Sequence, residues 1–354
     1  MNASHHPSQA GRVWPAREWE RAAPESVGMD APQLDEALES LRAVCGEVGV
    51  RRTVVVRRGW RVWAGPEPDV RVPVYSCTKS FLSVCLGLLW DDGRCSPDDL
   101  AYRYFEPLQR HYPTVTLRHL ATFTSGYAHA PESVFKPAEP MYSPGAAFHY
   151  SDQSDLLALI LTRIAGEPLR ELFQRRIGDA IGLRPEAWEW RVVGETEGIP
   201  VHGGSGFPES GVHIAAQDLA RLGWMAACRG VWAGRRLLSL RYFETAAAPC
   251  TDPRTPPYDP KAWYVRLPGA YGLNWWVNGV TPDGQRMWPH APPDTFAAQG
   301  NLNGICFALP SWEMTIVRLG PDVVIDMRLY DRMFQRLKAM RPPLDVRSSP
   351  SGAR

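Results

Sequence analysis

The alternation of apolar and polar positions predicts a chain of mixed helices and strands. Apolar residues recur at helical spacing in several long stretches, while short runs rich in β-branched and aromatic residues have the length of strands. The predicted helices are 29–44, 151–166, 168–181, 216–227 and 323–340. The predicted strands are 53–56, 60–63, 271–277, 296–299, 304–309 and 314–319.

The order of these elements predicts an α+β fold with an inserted segment. Strands fall near both ends of the chain, and the stretch between them is mostly helical with long Pro- and Gly-containing loops. Strands from the two ends are expected to share one antiparallel sheet. The predicted organisation is a disordered arm (1–23), a discontinuous α/β domain (24–91 and 204–341), an inserted helical domain (92–203) and a flexible tail (342–354).

Composition narrows the class of protein. The 354 residues are 44% hydrophobic with a formal net charge of +1, which is typical of a globular protein and argues against nucleic acid as a partner. No run is long enough to predict a membrane span, and the first 23 residues lack the apolar core of a secretory signal, so a cytoplasmic location is expected. Seven scattered cysteines favour neither a disulfide framework nor a zinc site, and neither a metal nor another cofactor is expected.

The first candidate for chemistry is the spacing of Ser76 and Lys79. The apolar run 81–90 predicts a buried helix that begins near Ser76, where backbone N–H groups have no intrahelical partner. Lys79 then lies one turn away on the same face. A hydroxyl beside an amine at this helix end is a candidate activated nucleophile. The alternative is an ordinary helix cap followed by a surface lysine.

Two further segments supply candidate partners. Tyr150 follows a Pro-Gly turn and precedes a helix, and near cationic neighbours its pKa is expected to fall, so that it could act as a base. The alternative is a core tyrosine. The segment 298–301 ends a predicted strand, where Gly300 would let the backbone approach a substrate and offer an N–H to an oxyanion; the alternative is a β-bulge.

Together these segments resemble a known superfamily. Ser76-Cys77-Thr78-Lys79, Tyr150-Ser151-Asp152 and Ala298-Gln299-Gly300 are similar, in this order, to three motifs of the serine β-lactamase and penicillin-binding proteins. Segments 117–126, 215–238 and 271–276 are similar to further pieces of the branch that holds class C β-lactamases, related esterases and 6-aminohexanoate-oligomer hydrolases. The resemblance covers roughly residues 24–340.

The resemblance implies a β-lactamase/transpeptidase-like fold and a set of roles. Ser76 would be the acylated nucleophile, Lys79 would help to deprotonate it, and Tyr150 would relay the proton to the leaving group. The N–H groups of Ser76 and Asn301 would form the oxyanion hole. Supporting positions would be Asp152, Gln299 and Gly300.

Two positions depart from the pattern of the superfamily. Asp152 stands where the second motif has Asn, and it could pair with Lys79 and hold the lysine charged. Ala298 stands where the third motif has Lys or His, which in β-lactamases and carboxypeptidases helps to hold a substrate carboxylate. Both the absent cation and the absent export signal argue against penicillin-like and D-Ala-D-Ala substrates.

The functional prediction is a serine hydrolase that cleaves an ester or amide of a small molecule. Two alternatives remain open, an acyltransferase on the same nucleophile and a binding homologue with impaired catalysis. Aromatic residues near the site predict an apolar acyl group, although core packing is the alternative for most of them. The substrate-binding candidates are Tyr127, His149, Trp275, Trp276 and Trp288.

Overall fold

A computed structural model describes residues 11–265, 267–320, 328 and 330–337. Its helices are α1 (Ala31–Val50), α2 (Thr78–Asp91), α3 (Leu117–Ala121), α4 (Gln153–Ala165), α5 (Leu169–Phe173), α6 (Ala216–Ala227), α7 (Leu240–Ala246) and α8 (Asp331–Leu337). Its strands are β1 (Thr53–Arg57), β2 (Trp60–Ala64), β3 (Val72–Pro73), β4 (His129–Ala130), β5 (Ser133–Pro137), β6 (Glu189–Trp190), β7 (Val192–Thr196), β8 (Ile199–His202), β9 (Val212–Ile214), β10 (Val231–Trp232), β11 (Arg235–Arg236), β12 (Trp276–Val277), β13 (Phe296–Gln299), β14 (Ile305–Leu309) and β15 (Met314–Arg318).

A six-stranded antiparallel sheet in the order β12-β13-β14-β15-β1-β2 forms the centre of the fold. β1 pairs with β15, so strands from both ends of the chain share this sheet, as predicted. Side chains alternate between its two faces. Val54 and Val56 pack into the core that holds α2 and α6, while Val55 packs with α1 and α8. Both faces are covered by helices, which explains why β1 is apolar at successive positions.

Helix α2 lies in the larger of the two cores and fixes the segment that precedes it. Every residue from Thr78 to Leu89 is buried, and each large apolar side chain so buried contributes roughly 1.5–3 kcal/mol. Phe81 contacts Phe173, with ring centroids 5.0 Å apart, and stacks on Trp188 at 5.6 Å. The inserted segment therefore packs directly against α2. This packing holds the N-terminus of α2 in place.

The structure differs from the predicted elements in three places. The segment 92–203 contains β4 to β8 as well as helices, and its limits as a domain stay a prediction. The predicted strand 271–277 is reduced to β12, because Asn274 takes a left-handed φ of 55° and Gly272 N–H bonds to Trp275 O in a tight turn. Residues 203–206, predicted as a flexible break, are buried.

Part of the predicted N-terminal arm is also anchored. Trp19 is 6% exposed and donates its indole N–H to Gln217 O, while Arg221 donates to the carbonyls of Ala16 and Arg17. The prediction of disorder is therefore wrong for residues 11–23. Residues 1–10 of the predicted arm, the predicted tail, and residues 323–327, 329 and 338–340 of the last predicted helix lie outside the described residues. Within the described part of the chain, each helix is too short or too polar to cross a bilayer.

Candidate active site

Ser76 lies in a single 3₁₀ turn, Tyr75–Cys77, directly before α2. Tyr75 has a φ of 49°, an uncommon conformation for a non-glycine residue. Two glycines let other chain segments reach this turn: a Cβ on Gly300 would lie 2.2 Å from Val74 O, and one on Gly206 would lie 2.1 Å from Tyr75 O. The end of β13 and the 203–206 segment therefore close on the Ser76 backbone from different sides.

Lys79 contacts Ser76 as the spacing predicted. Its Nζ donates to Ser76 Oγ at 2.9 Å and to Ser205 O at 2.5 Å, and the residue is 2% exposed. Burial lowers the pKa of Lys79 to about 8, although Asp155, then Cys77 and Asp152, act in the opposite direction. A neutral amine, which can accept the Ser76 proton, is thus accessible close to neutral pH.

Asp155 and Ser205 belong to the site but were missed from the sequence. Asp155 Oδ1 accepts the N–H groups of Gly204 and Ser205 at 2.7 and 2.9 Å, and its Oδ2 accepts the Ser205 hydroxyl at 2.6 Å. These bonds place Ser205 O against Lys79. The sequence signal that could have pointed to Asp155 was the presence of an acidic residue on the apolar helix α4. A buried carboxylate requires hydrogen-bond donors.

Tyr150 lies beside Ser76, but its ionisation differs from the prediction. It shares a hydrogen bond with Ser76, and Lys79 Nζ lies 4.9 Å from its ring centroid. Phe123 and Trp276 pack on its ring at 4.4 and 5.6 Å. Burial among these groups raises the pKa of Tyr150, and its hydrogen bonds only partly oppose this. The expected lowering is therefore wrong, and the phenol stays protonated at neutral pH.

Asp152 does not pair with Lys79. Its Oδ2 lies 3.0 Å from His129 Nε2. His129 lies on β4, and no motif or spacing in the sequence pointed to it. The carboxylate still raises the pKa of Lys79, but less than Asp155 does, and the pKa remains below its usual value. The expectation that Asp152 pairs with Lys79 is therefore wrong, because the hairpin β4–β5 supplies a nearer partner.

A cavity of about 770 Å³ opens onto Ser76. The cavity lies beside the end of β13. β12 pairs with Phe296 and Ala297 but does not extend along Ala298 and Gln299, which pair with β14 on the other side. The cavity brings together the three segments that carry the predicted motifs. Its lining residues are Tyr75, Ser76, Lys79, His149, Tyr150, Ser151, Asp152, Ser205, Gly206, Phe207, Pro208, Trp263, Trp276, Gln299, Gly300 and Asn301.

Only two of the five predicted substrate-binding residues, His149 and Trp276, line this cavity. The other three are core residues. Tyr127 is 3% exposed and donates to Val134 O, Trp275 donates to the Tyr242 hydroxyl, and Trp288 is fully buried against Phe307.

The rim of the cavity holds apolar side chains that the sequence did not single out. Phe207 is 59% exposed and Trp263 is 51% exposed. Both lie on irregular segments without a periodic pattern, so the sequence carried no signal for them. Their exposure at the mouth of the cavity is unusual for large apolar groups and is typical of a binding surface.

A model of the family described as Beta-lactamase matches residues 35–320, which include all three motifs. The chain belongs to the beta-lactamase family. The resemblance and the β-lactamase/transpeptidase-like fold predicted from the sequence are thereby confirmed. As a member of this family the protein is a serine hydrolase.

Individual proteins similar to this chain include one relative found by sequence and several solved structures that share the fold. A D-alanyl-D-alanine-carboxypeptidase/endopeptidase, AmpH of Escherichia coli, is 32% identical over 34% of this chain and 37% of its own length, so the match spans little more than a third of that relative. Among solved structures, a penicillin-binding protein homologue from Caulobacter crescentus has a TM-score of 0.66 at 16% identity, covering 86% of this chain and 95% of its own. A structure from Bacillus anthracis assigned as a 6-aminohexanoate-dimer hydrolase has a TM-score of 0.59 at 19% identity, covering 81% and 78%.

Proposed function

We propose that this beta-lactamase-family protein cleaves an ester or amide bond of a small molecule through an acyl-enzyme on Ser76. The observation that carries the proposal is the convergence of two groups on one oxygen. Lys79 Nζ lies 2.9 Å from Ser76 Oγ, and the Tyr150 side chain is hydrogen-bonded to the same oxygen. This oxygen faces a cavity large enough for a small substrate.

In the proposed acylation, neutral Lys79 takes the Ser76 proton as Oγ attacks the substrate carbonyl carbon. The developing oxyanion accepts hydrogen bonds from the N–H groups of Ser76 and Asn301. As the tetrahedral intermediate collapses, the Tyr150 phenol donates its proton to the leaving oxygen or nitrogen. The resulting phenolate recovers a proton from the Lys79 ammonium, so both groups return to their starting states.

Deacylation in this proposal repeats the same transfers with water as the nucleophile. Neutral Lys79 accepts the proton of water as it attacks the acyl carbon, and the Tyr150 phenol donates its proton to Ser76 Oγ as that oxygen leaves. The Lys79 ammonium then returns a proton to the Tyr150 phenolate. If an alcohol or amine replaces water, the same steps give acyl transfer. Product analysis with added alcohols and amines separates these two outcomes.

The character of the cavity favours substrates without a carboxylate. Ala298 supplies no cation on the third motif, and burial lowers the pKa of His149, which keeps that imidazole neutral. Lys79 is nearly inaccessible and already bonded. Phe207, Trp263 and Trp276 offer apolar surface to an acyl chain or ring. Penicillin-like substrates are therefore not proposed.

A cytoplasmic location stays a prediction.

Mixing the protein with a short-chain p-nitrophenyl ester and quenching within the first turnovers is expected to give a covalent adduct. The increase in intact mass should equal the acyl group, and peptide mapping should locate it on Ser76, because that is the hydroxyl held by a base. A burst of p-nitrophenol is expected if deacylation is the slower step. Turnover of the ester with an adduct on another residue, or no acylation by any ester, would contradict the proposal.

The pH dependence of kcat/KM is expected to report the ionisation of Lys79. Activity should rise with pH through an apparent pKa of about 8, because only the neutral amine can accept the Ser76 proton. Asp155→Asn removes a charge that raises the pKa of Lys79, so the profile should move to lower pH. Asp152→Asn should move it in the same direction but by less. Profiles with no inflection between about pH 7 and 9, or a shift to higher pH in Asp155→Asn, would exclude Lys79 as the base.

A further inference from the structure

His129 and Asp152 form a charged pair at the wall of the cavity. His129 Nε2 lies 3.0 Å from Asp152 Oδ2, and His129 Nδ1 lies 2.8 Å from Ala130 O. A carbonyl oxygen can only accept hydrogen bonds, and an ionised carboxylate likewise only accepts. Both ring nitrogens of His129 therefore donate, which requires the imidazolium form.

The ionisation of His129 agrees with this geometry. Burial disfavours its charged form, but the Ala130 carbonyl and the Asp152 carboxylate outweigh that effect, and the pKa of His129 is raised. The pair has its negative end at the cavity, since Asp152 lines the cavity while His129 is not among the lining residues. The Asp152 side chain is 39% exposed, and the bond to His129 engages one carboxylate oxygen, so the other can interact with a substrate.

Among the described residues that line the cavity, Asp152 is the only acidic one. The positive groups there are unavailable to a substrate, because Lys79 is 2% exposed and burial keeps His149 neutral. The nearby aromatic faces of Trp263 and Trp276 also attract cations through their π electrons. Charge and ring faces thus favour the same kind of group, a cation, and disfavour a carboxylate.

We propose that Asp152 determines substrate specificity by favouring molecules with a positively charged amine or quaternary ammonium group next to the scissile bond, and that His129 is the positioning residue that holds the carboxylate at the cavity wall. This inference rests on the proposed function, because it assigns a substrate class to the same site. Asp152 takes no part in the bond cleavage itself. It contributes by attraction to the cation and by repulsion of an anion.

Two series of p-nitrophenyl or alkyl esters test the inference, one with the charge in the acyl chain and one with it in the alcohol. In each series the chain ends in a trimethylammonium, a tert-butyl or a carboxylate group; the first two have the same shape and differ in charge. In at least one series, kcat/KM is expected to be roughly tenfold or more higher for the trimethylammonium than for the tert-butyl ester, with the carboxylate lowest. Equal values for all three in both series, or a preference for the carboxylate, would overturn it.

Substitutions of Asp152 and His129 test whether this pair causes the preference for cationic esters. Asp152→Asn should abolish most of the cation preference. His129→Gln should keep or increase it, because the amide can still donate a hydrogen bond to the carboxylate but carries no charge, whereas His129→Ala, which removes the donor, should lower it. Glu132→Gln is the matched control, because Glu132 lies on the same hairpin with its carboxylate paired to Lys136 at the surface. A loss of preference in Glu132→Gln equal to that in Asp152→Asn would mean that overall charge, not Asp152, sets it, and would refute the inference.

A binding measurement separates this inference from the proposed function. Pentyltrimethylammonium and hexanoate are titrated into the Ser76→Ala variant, with and without Asp152→Asn, so that no catalysis is needed. Tighter binding of the ammonium that depends on Asp152 supports the inference even if no ester acylates Ser76. Conversely, normal turnover of the tert-butyl ester with no charge preference leaves the proposed function standing and refutes the inference.

Discussion

Replacing Ser76 with Ala is expected to lower kcat/KM for a neutral ester by about 10⁴- to 10⁶-fold, the range found when a nucleophile of a catalytic unit is removed. The substitution deletes the one oxygen that both Lys79 and Tyr150 contact, so the attacking atom is lost while the rest of the cavity remains. Initial rates and intact mass after incubation with the ester measure the effect. The variant should also show no acyl adduct.

Ser151→Ala is the matched control for this loss. Ser151 lines the same cavity, but its hydroxyl accepts a hydrogen bond from the neutral Gln153 amide at 3.0 Å, whereas Ser76 is bonded to an amine. Its replacement should change kcat/KM by less than about tenfold, since no bond to the reacting atoms is lost. Thermal unfolding of both variants checks that they fold. A Ser76→Ala variant that is folded and retains a tenth of the activity would contradict the role proposed for Ser76.

The pairing of Ser76 with Lys79 could be predicted because it depends on local geometry. Residues three apart at a helix start are neighbours whatever the rest of the chain does, and the apolar run after them required burial. The sheet was predictable for a related reason, since consecutive apolar residues in β1 indicate a strand covered on both faces. The sequence therefore contained the information for the centre of the site and for the layer below it.

Contacts that depend on the packing of distant segments could not be predicted. Asp155 reaches Lys79 through Ser205, fifty residues away, and only because 203–206 packs on α4. Asp152 bonds to His129 rather than to Lys79 because the hairpin β4–β5, in a segment predicted to be mostly helical, brings His129 near. No periodicity or spacing in the sequence encodes these contacts.

The two neighbouring tryptophans show how a one-residue difference decides a role. Trp276 begins β12 and stacks on Tyr150 at the cavity, whereas Trp275 contacts Phe296 and Tyr242 in the core. Successive side chains of an extended chain point to opposite sides. The sequence predicted that aromatics cluster near the site, but only the register of the tight turn before β12 determines which of them faces a substrate.

Lys79→Met is expected to reduce activity and increase stability together. The loss of the base should lower kcat/KM by about 10²- to 10⁴-fold, measured with the same neutral ester. The pKa of Lys79 falls from 10.5 to about 8 on folding, so at pH 7 burial of the ammonium costs roughly 3 kcal/mol of folding free energy. Methionine has a similar shape without the charge. After subtraction of the lost hydrogen bonds to Ser205 O and Ser76 Oγ, we expect the free energy of unfolding to rise by about 1–2 kcal/mol.

The pH dependence of the gain in the free energy of unfolding identifies the cause of that gain. The folded protein binds the Lys79 proton more weakly than the unfolded chain, so the penalty in the wild type is full below about pH 8 and disappears as pH rises toward 10.5. The stability difference between Lys79→Met and the wild type in urea unfolding should therefore shrink over that interval. Lys136→Met is the control, because Lys136 is 64% exposed in a surface ion pair and its replacement should change neither activity nor stability appreciably. If Lys79→Met were both inactive and less stable at pH 7, Lys79 would be a structural residue, and the low-pKa base on which the proposed reaction depends would be excluded.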